Sequence, residues 1–169
     1  DNEEIRNKMN NLGAVILLIS KGTPFWQAGE EMLRTKCGDD NSYKSSDEVN
    51  NIDWNVLKVG SKEYQTMLYY KGLIEMRKSF SIFTNKSTTI KCTEYRNGML
   101  DVLFEGTDGG KALAILNPNK TPLTYSLYDE WNLVSTSTSA GSKSLAKEKG
   151  IVNIDAIGAR IYVNDILFE

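Results

Sequence analysis

The fold of this chain is decided by the stretch Gly22-Thr23-Pro24-Phe25-Trp26-Gln27-Ala28-Gly29-Glu30-Glu31, which joins an aromatic segment to an acidic turn. We expect residues 23–27 to form a short strand. Pro24 lacks a backbone N–H, so pairing in this strand must begin after it or spare its position. Gly29 permits a tight turn that presents the two glutamates. The stretch therefore predicts a strand that ends at a carboxylate-bearing turn.

A helix is predicted on each side of this stretch. The first begins with Asp1 and Glu4, which resemble a capping box, and ends at Gly22. Its apolar positions at helical spacing are Ile5, Met9, Leu12, Ile16 and Ile19. From residue 14 onward the segment is apolar all round, so its second half is expected to be buried. The second helix begins after the N-cap Ser61 and ends near Lys78. Its predicted buried stripe consists of Tyr69, Leu73, Met76 and Phe80.

A long polar loop, residues 34–60, lies between the opening stretch and the second helix. It is rich in Asp, Asn and Ser, and it closes on Asn50-Asn51-Ile52-Asp53-Trp54. Loops of this length inside compact domains are usually functional or disordered. The loop is therefore the first place to search for binding residues.

After about residue 85 the pattern changes to the period of two that is typical of strands, as in Leu100, Val102 and Phe104. Further strand candidates are residues 112–116, 125–127, 131–134, 151–154 and 161–163. Turn signals between them are Arg96-Asn97-Gly98, Asp108-Gly109-Gly110 and Asn117-Pro118-Asn119. Residues 135–150 are rich in Ser, Thr, Lys and Gly, which predicts a solvated, protruding loop.

These patterns divide the chain into two parts and predict an α+β fold. Residues 1–84 are expected to form helix, strand, long loop and helix, and residues 85–169 an antiparallel sheet domain, a small β-sandwich. The 169 residues are 40% hydrophobic, which is enough to bury a core.

Composition excludes several classes of function. The net charge of −2 gives no electrostatic case for nucleic acid or an anionic membrane, and the longest apolar run, residues 14–19, is too short to span a bilayer. The chain has no histidine, which excludes a Ser-His-Asp triad and makes a zinc site unfavourable. Cys37 and Cys92 are expected to be free thiols. Residues 39–41 do not have the ligand spacing of an EF-hand, so we expect a solvated loop there. We predict no metal and no cofactor, and we interpret the start at Asp1 as a cloning boundary or a cleavage point.

Several motifs give the chain a resemblance to type I pullulanases of glycoside hydrolase family 13, in the α-amylase superfamily. They are the stretch 22–31, Arg34-Thr35-Lys36, Asn41-Ser42-Tyr43-Lys44-Ser45 and Asn50-Asn51-Ile52-Asp53-Trp54. The first suggests the superfamily broadly, and the last two, at this spacing, are more specific for pullulanase-like debranching enzymes. The resemblance implies that residues 1–84 are the last helix–strand–helix elements of a (β/α)8 barrel. It implies that residues 85–169 are the C-terminal β-sandwich domain.

The resemblance also implies a function. The family hydrolyses α-1,6 bonds in pullulan, amylopectin and glycogen-derived dextrins by a retaining mechanism that uses a carboxylate nucleophile and a carboxylic acid. In the family both groups lie on earlier barrel strands, and a sugar-binding His-Asp pair also lies upstream. We therefore assign no catalytic residue here and expect this polypeptide alone to be inactive. The expected partner of the parent, a cytoplasmic or secreted bacterial protein, is an α-glucan, without nucleic acid or membrane. We also expect self-association through exposed barrel surfaces.

Three residues of the long loop are the candidate substrate-binding residues. On the pullulanase pattern, Asp47 falls where a carboxylate hydrogen-bonds glucose hydroxyls on the non-reducing side of the scissile bond. Asn51 falls where some relatives carry arginine, so its amide keeps hydrogen-bonding capacity but loses a charge-assisted, forked donor. Tyr43 offers a ring face or a hydroxyl to a sugar.

Other conspicuous side chains are expected to be structural. Adjacent residues on one turn rarely face the same atom, so we expect one of Glu30 and Glu31 to bind backbone or a basic group and the other to be exposed. Phe25 and Trp26 would face opposite sides of a strand, and both are expected in the core. Trp54 is expected to anchor the end of the loop.

Two alternatives stay open at this point. The chain could be a non-catalytic carbohydrate-binding or structural β-sandwich module, for which exposed aromatic side chains in a row would be the signature. The aromatic cluster of the sheet region is Tyr125, Tyr128 and Trp131, the last of which we expect in the sandwich core. The chain could also be an unrelated α/β domain.

A lone terminal barrel segment would expose apolar surface, so we expect residues 1–84 to pack on the sheet domain or on another chain.

Overall fold

The computed structural model describes residues 2–168 and shows helices that pack on one antiparallel sheet, an α+β arrangement. The helices are α1 (Glu3–Ile19), α2 (Asp47–Asn50) and α3 (Lys62–Ser79). The strands are β1 (Thr89–Glu94), β2 (Leu100–Glu105), β3 (Lys111–Asn117), β4 (Leu123–Ser135), β5 (Ala146–Ile154) and β6 (Gly158–Val163). Short 3-10 turns lie at Glu30–Met32, Ser42–Lys44, Trp54–Val56, Ser81–Phe83 and Asp165–Phe168. No helix within residues 2–168 is long and apolar enough to cross a membrane.

Helix α1 begins one residue later than its sequence suggested. The side chain of Asn2 caps it by accepting a hydrogen bond from the Glu4 N–H at 2.8 Å, whereas the predicted cap Asp1 lies outside the described residues. The helix ends at Ile19 rather than Gly22. Its buried residues are Leu12, Ala14, Val15, Leu18 and Ile19. Met9 and Ile16 of the predicted stripe are exposed, because the sheet and α3 cover only one face of the helix.

Helix α3 confirms its predicted cap and stripe. The Ser61 hydroxyl accepts a hydrogen bond from the Tyr64 N–H at 3.1 Å, which satisfies one of the unpaired donors of the first turn. The predicted stripe residues Tyr69, Leu73, Met76 and Phe80 are all buried. Gly72 lies against the segment that follows β4, where an added Cβ would lie 2.1 Å from the Ala140 carbonyl oxygen. Helix α3 therefore meets the sheet region backbone to backbone.

The six strands form a single antiparallel sheet in the order β1-β2-β3-β6-β4-β5. The turn signals predicted at residues 96–98, 108–110 and 117–119 lie between consecutive strands, and Gly98 and Gly109 adopt positive φ there. Strand β1 was not predicted. It is an edge strand whose side chains are all exposed, so it carries no alternation of buried and exposed positions. The predicted loop 135–150 is wrong in its last part, since Ala146 already begins β5.

The sheet curls until its two ends face each other. Strand β4 is long and irregular, with a shift in its pairing to β5 between Leu127 and Trp131. Although β3 and β6 separate β4 from β2 in the sheet, the Tyr125 hydroxyl donates to Asp101 Oδ2 at 2.7 Å. The Tyr95 hydroxyl donates to the same oxygen at 2.6 Å. This curl encloses a core between the two ends, an arrangement that fits a β-sandwich.

Two apolar cores result. The first joins α1 and α3 to one face of the sheet and includes Val15, Leu73, Phe104 and Ile161. The second lies inside the curl and includes Ile115, Trp131 and Tyr162, which confirms the core position predicted for Trp131. Because the first core contains residues from both parts of the chain, residues 1–84 pack on the sheet region, the first of the two alternatives expected for them.

The opening stretch is extended but is not a strand. No segment within residues 2–168 pairs with residues 23–27, and a strand exists only alongside a hydrogen-bonded neighbour. Trp26 is half-buried and its ring packs edge-on against Tyr70, with centroids 6.0 Å apart. Phe25 is 87% exposed, so its predicted place in the core is wrong for this chain.

Candidate substrate-binding loop

The acidic turn that opens the loop is held by its own backbone. Gly29 adopts φ 101°, a conformation that favours glycine, and its N–H donates to Glu31 Oε2 at 3.0 Å. The Gln27 N–H donates to Glu30 Oε1 at 3.2 Å. Both carboxylates are half-buried and bind backbone, so the expectation that one of them is exposed is wrong. Both glutamates therefore have the structural role that was expected for one of them.

Arg34 joins this turn to the far end of the loop. Its backbone N–H donates to the Gly29 carbonyl at 2.9 Å, and its guanidinium donates to the Ala28 carbonyl at 3.1 Å and to the Asn50 carbonyl. The stem of Arg34 lies over Gly29, where an added Cβ would be 2.5 Å from Arg34 Cδ. Gly29 is therefore required twice, for its φ and for this close approach.

Asn50 is a hydrogen-bonding centre of the loop that sequence reasoning missed. Its Nδ2 donates to the carbonyls of Ser42 at 2.7 Å and Ser45 at 2.9 Å, and its Oδ1 accepts from Lys36 Nζ at 2.6 Å. Its partners lie 5–16 residues away in the sequence, at no regular spacing. The only signal in the sequence was an amide inside a long polar loop.

Asp39 also joins parts of the loop by hydrogen bonds. Its carboxylate accepts hydrogen bonds from the Ser45 hydroxyl and from the Asn41 N–H, the latter at 3.0 Å. These two hydrogen bonds hold the pKa of the Asp39 carboxyl below its usual value, and the bond from the Ser45 hydroxyl has the larger effect. Within residues 2–168 no group of three His, Cys, Asp or Glu side chains is arranged to hold a metal ion.

The three predicted contact residues lie on the exposed side of this hydrogen-bonded frame. Tyr43 lies in the 3-10 turn Ser42–Lys44 and is 75% exposed, Asp47 is the first residue of α2, and Asn51 follows the last. None of the three side chains makes a hydrogen bond or an ion pair to another residue of the described part of the chain. The Lys44 ammonium lies 5.2 Å from the centre of the Tyr43 ring. The polar groups of the three side chains are therefore exposed and without a hydrogen-bond partner in the described part of the chain.

A cleft of about 430 Å³ lies beside these residues. Asn51 lines it together with Arg34, Glu48, Asp53 and Glu63, whereas Tyr43 and Asp47 do not. The structure thus places Asn51 at the cleft and the other two on the adjoining surface. Sequence reasoning did not single out the carboxylates of this cleft.

Exposed aromatic side chains occur in the loop and, singly, on the sheet. Trp54, which was expected to anchor the end of the loop, is 65% exposed. On the sheet, Tyr128 is 87% exposed, but Tyr125 is half-buried and Trp131 is in the core. The sheet cluster therefore does not form an exposed aromatic row. Cys37 and Cys92 are both free, as predicted.

Comparison with known proteins shows that the chain is similar to pullulanases, although no protein-family profile matches it. The pullulanases match about half of the chain or less by sequence and almost all of it by structure. A pullulanase of Bacillus subtilis is 34% identical over 87 residues, 52% of this chain and 12% of its own length. The chloroplastic pullulanase 1 of Arabidopsis thaliana is 41% identical over 49 residues, 29% of this chain and 5% of its own length.

Among solved structures, the pullulanase of Bacillus acidopullulyticus superposes on 97% of this chain with a TM-score of 0.84 and 31% identity. A pullulanase of Anoxybacillus sp. LM18-11 in complex with maltotetraose covers 97% with a TM-score of 0.80 and 25% identity. The chain spans only 21% and 24% of these two proteins. The similarity thus covers almost all of this chain and about a quarter or less of each relative.

Proposed function

We propose that this chain is part of a pullulanase-type debranching enzyme that hydrolyses α-1,6-glucosidic bonds in pullulan, amylopectin or glycogen-derived dextrins. Residues 1–84 supply the end of its catalytic barrel and residues 85–169 its C-terminal β-sandwich domain. The observation that carries the proposal is the superposition of 97% of the chain on a pullulanase at 31% identity. The extended segment 23–27 is unpaired within the described residues, and its Phe25 is exposed. The rest of a barrel would cover this surface.

Within that enzyme, Asp47, Asn51 and Tyr43 contact the α-glucan. Their side chains are exposed and make no hydrogen bond within the described residues, while the backbone that carries them is held by Arg34 and Asn50. Preorganised polar groups of this kind bind sugars without a large ordering cost. The maltotetraose complex of the Anoxybacillus relative supports an α-glucan as the ligand class.

The first experiment tests the contact at Asp47. In the longer enzyme that contains this sequence, Asp47→Ala removes an acceptor of glucose hydroxyl groups and is expected to lower kcat/KM on pullulan by about 10-fold or more, the effect of losing a charged hydrogen bond. Asp40→Ala is the matched control, because Asp40 is an exposed carboxylate of the same loop without a side-chain hydrogen bond to the described residues. Equal kinetics of the two variants would refute the contact.

The second experiment tests the absence of the catalytic pair. The 169-residue chain alone is expected to release no reducing ends from pullulan, because Glu30 and Glu31 are engaged with backbone N–H groups and neither acts as nucleophile or acid. The longer enzyme, assayed in parallel, confirms that the substrate is competent. Turnover by the purified chain would overturn this part of the proposal.

The alternative of a non-catalytic carbohydrate-binding module gains no support from the sheet, where Tyr128 is the exposed member of the aromatic cluster. Affinity electrophoresis of the chain in gels that contain pullulan or glycogen separates the two functions. Retardation of the chain together with an inactive longer protein would favour the module. Sedimentation of the same sample tests the expected self-association through the exposed apolar surface around Phe25.

A further inference from the structure

The carboxamide of Asn50 connects three segments of the long loop. Its two Nδ2 hydrogens are directed at the carbonyls of Ser42 and Ser45, and its Oδ1 at the Lys36 ammonium. This is the orientation that the chemistry demands, because a flipped amide would place its oxygen against two carbonyl oxygens and its N–H groups against a cation. The side chain therefore uses both donors and an acceptor, each on a different partner.

The two carbonyls that Asn50 binds enclose one of the proposed contact residues. Ser42 precedes Tyr43, and Ser45 closes the same 3-10 turn, whose backbone bond from the Ser45 N–H to the Ser42 carbonyl is 3.0 Å. An amide that holds both ends of a turn fixes the direction in which the turn presents its exposed side chain. Asn50 thus holds the backbone of the turn that carries Tyr43.

Asn50 is also the last residue of α2, which begins with Asp47 and is followed by Asn51. In α2, the Asn50 N–H donates to the Ser46 carbonyl at 3.0 Å and the Asn51 N–H to the Asp47 carbonyl at 2.7 Å. A helix of four residues is not stable by itself, so its position must come from tertiary contacts. Asn50 supplies two such contacts, from its side chain to Lys36 and from its carbonyl to the Arg34 guanidinium.

We propose that Asn50 is the positioning residue of the substrate loop: its carboxamide sets the relative placement of Tyr43, Asp47 and Asn51 for the glucan. The significance of that placement for activity rests on the proposed function. The placement itself is a property of this chain and can be measured without substrate.

Asn50→Asp is the informative substitution. It keeps the size of the side chain and the acceptor for Lys36, but it exchanges two N–H donors for an oxygen that faces two carbonyls. The matched control is Asn41→Asp, which introduces the same charge in the same loop at an exposed side chain without a hydrogen bond within residues 2–168.

Hydrogen exchange of the 169-residue chain tests the placement. Asn50→Asp is expected to speed exchange at the amides of Ser45, Asn50 and Asn51 by about tenfold or more, since local opening loses the support of two hydrogen bonds. The amides of α3 should keep their rates, and Asn41→Asp should leave all of these rates near those of the parent. Unchanged exchange in the loop of Asn50→Asp would overturn the proposal whatever the enzyme does.

Kinetics of the longer enzyme test the consequence. Asn50→Asp is expected to raise KM for pullulan about tenfold with a smaller change in kcat, and to add little to Asp47→Ala, because Asn50 acts through the residues it positions. An effect of Asp47→Ala together with a normal KM in Asn50→Asp would refute the positioning role and leave the proposed function intact. If Asp47→Ala has no effect, the glucan contact fails, and the exchange rates alone decide whether Asn50 holds the loop.

Discussion

The guanidinium of Arg77 in α3 is buried against the end of α1, where it donates hydrogen bonds to backbone carbonyls. Its NH1 donates to the carbonyls of Leu18 at 2.6 Å and Ser20 at 2.8 Å, and its NH2 donates to that of Gly22 at 2.7 Å. The Leu18 carbonyl belongs to the last turn of α1, and those of Ser20 and Gly22 follow that end of the helix, the end that attracts a cation. Burial lowers the pKa of the guanidinium, yet its usual value is so high that it keeps its proton.

Replacing Arg77 is therefore expected to loosen the end of α1 and the stretch that follows it. Arg77→Met keeps much of the apolar stem but leaves three carbonyls without their donor, which should lower the free energy of unfolding by about 2–4 kcal/mol. Urea denaturation at neutral pH measures the loss. Lys78→Met, at an exposed neighbour without a side-chain hydrogen bond to the described residues, should change stability by less than about 0.5 kcal/mol. Equal stabilities of the two variants would disprove the role of Arg77.

Residue roles could be predicted where they follow from local pattern, and not where they depend on distant partners. Ser61 and the stripe at Leu73 were predictable, because a cap and a helical period act within a few residues. The roles of Asn50 and Arg77 were not, since their partners lie up to 16 and 59 residues away. Phe25 looked like a core residue by its type alone, but burial depends on what covers it, and in this chain it is exposed.

At the scale of elements, helices were predicted better than strands because a helix satisfies its hydrogen bonds internally. The strand expected at residues 23–27 lacks a neighbour within the described chain, so the same extended backbone stays unpaired. The opposite error occurred at β1, an edge strand that pairs with β2 although its side chains show no buried face. The curl of β4 over β2 depends on a pairing irregularity that the sequence does not mark.

Replacing glycine by alanine is expected to have opposite effects on stability at Gly72, where α3 approaches the segment after β4, and at Gly13 in α1. Gly72→Ala would place a Cβ 2.1 Å from the Ala140 carbonyl oxygen, and the clash should cost about 2 kcal/mol or more despite the better helix propensity of alanine. Gly13 lies within α1 with nothing within 4 Å of the added atom, so Gly13→Ala should stabilise by about 1 kcal/mol. Thermal denaturation should shift the midpoint down for the first and up for the second. A stabilising Gly72→Ala would show that the helix does not approach so closely.

At the scale of the whole molecule, the helices and the sheet share one core. Tyr69 illustrates the connection, because it is buried in α3 while its hydroxyl donates to the Thr136 carbonyl beyond β4 at 2.8 Å. Tyr162 lies in the second core and Tyr125 packs against it. Burial is the largest of the effects that raise the pKa of both tyrosines. Ionisation of buried tyrosines therefore reports on both cores.

This arrangement predicts that the chain loses stability in alkali. Burial raises the pKa of Tyr69 from 10 to about 12, so above pH 10 the unfolded chain releases this proton while the folded chain still holds it. The stabilising contribution is complete below pH 10 and declines as the pH rises towards 12, by about 2 kcal/mol for this one group. At pH 8, Tyr69→Phe should be less stable than the parent by about 1 kcal/mol, the loss of one hydrogen bond. Near pH 11.5 the difference should vanish or reverse, because phenylalanine has no proton to lose. Urea denaturation of both proteins at the two pH values measures this change, and a difference that does not depend on pH would show that Tyr69 titrates as it does in the unfolded chain.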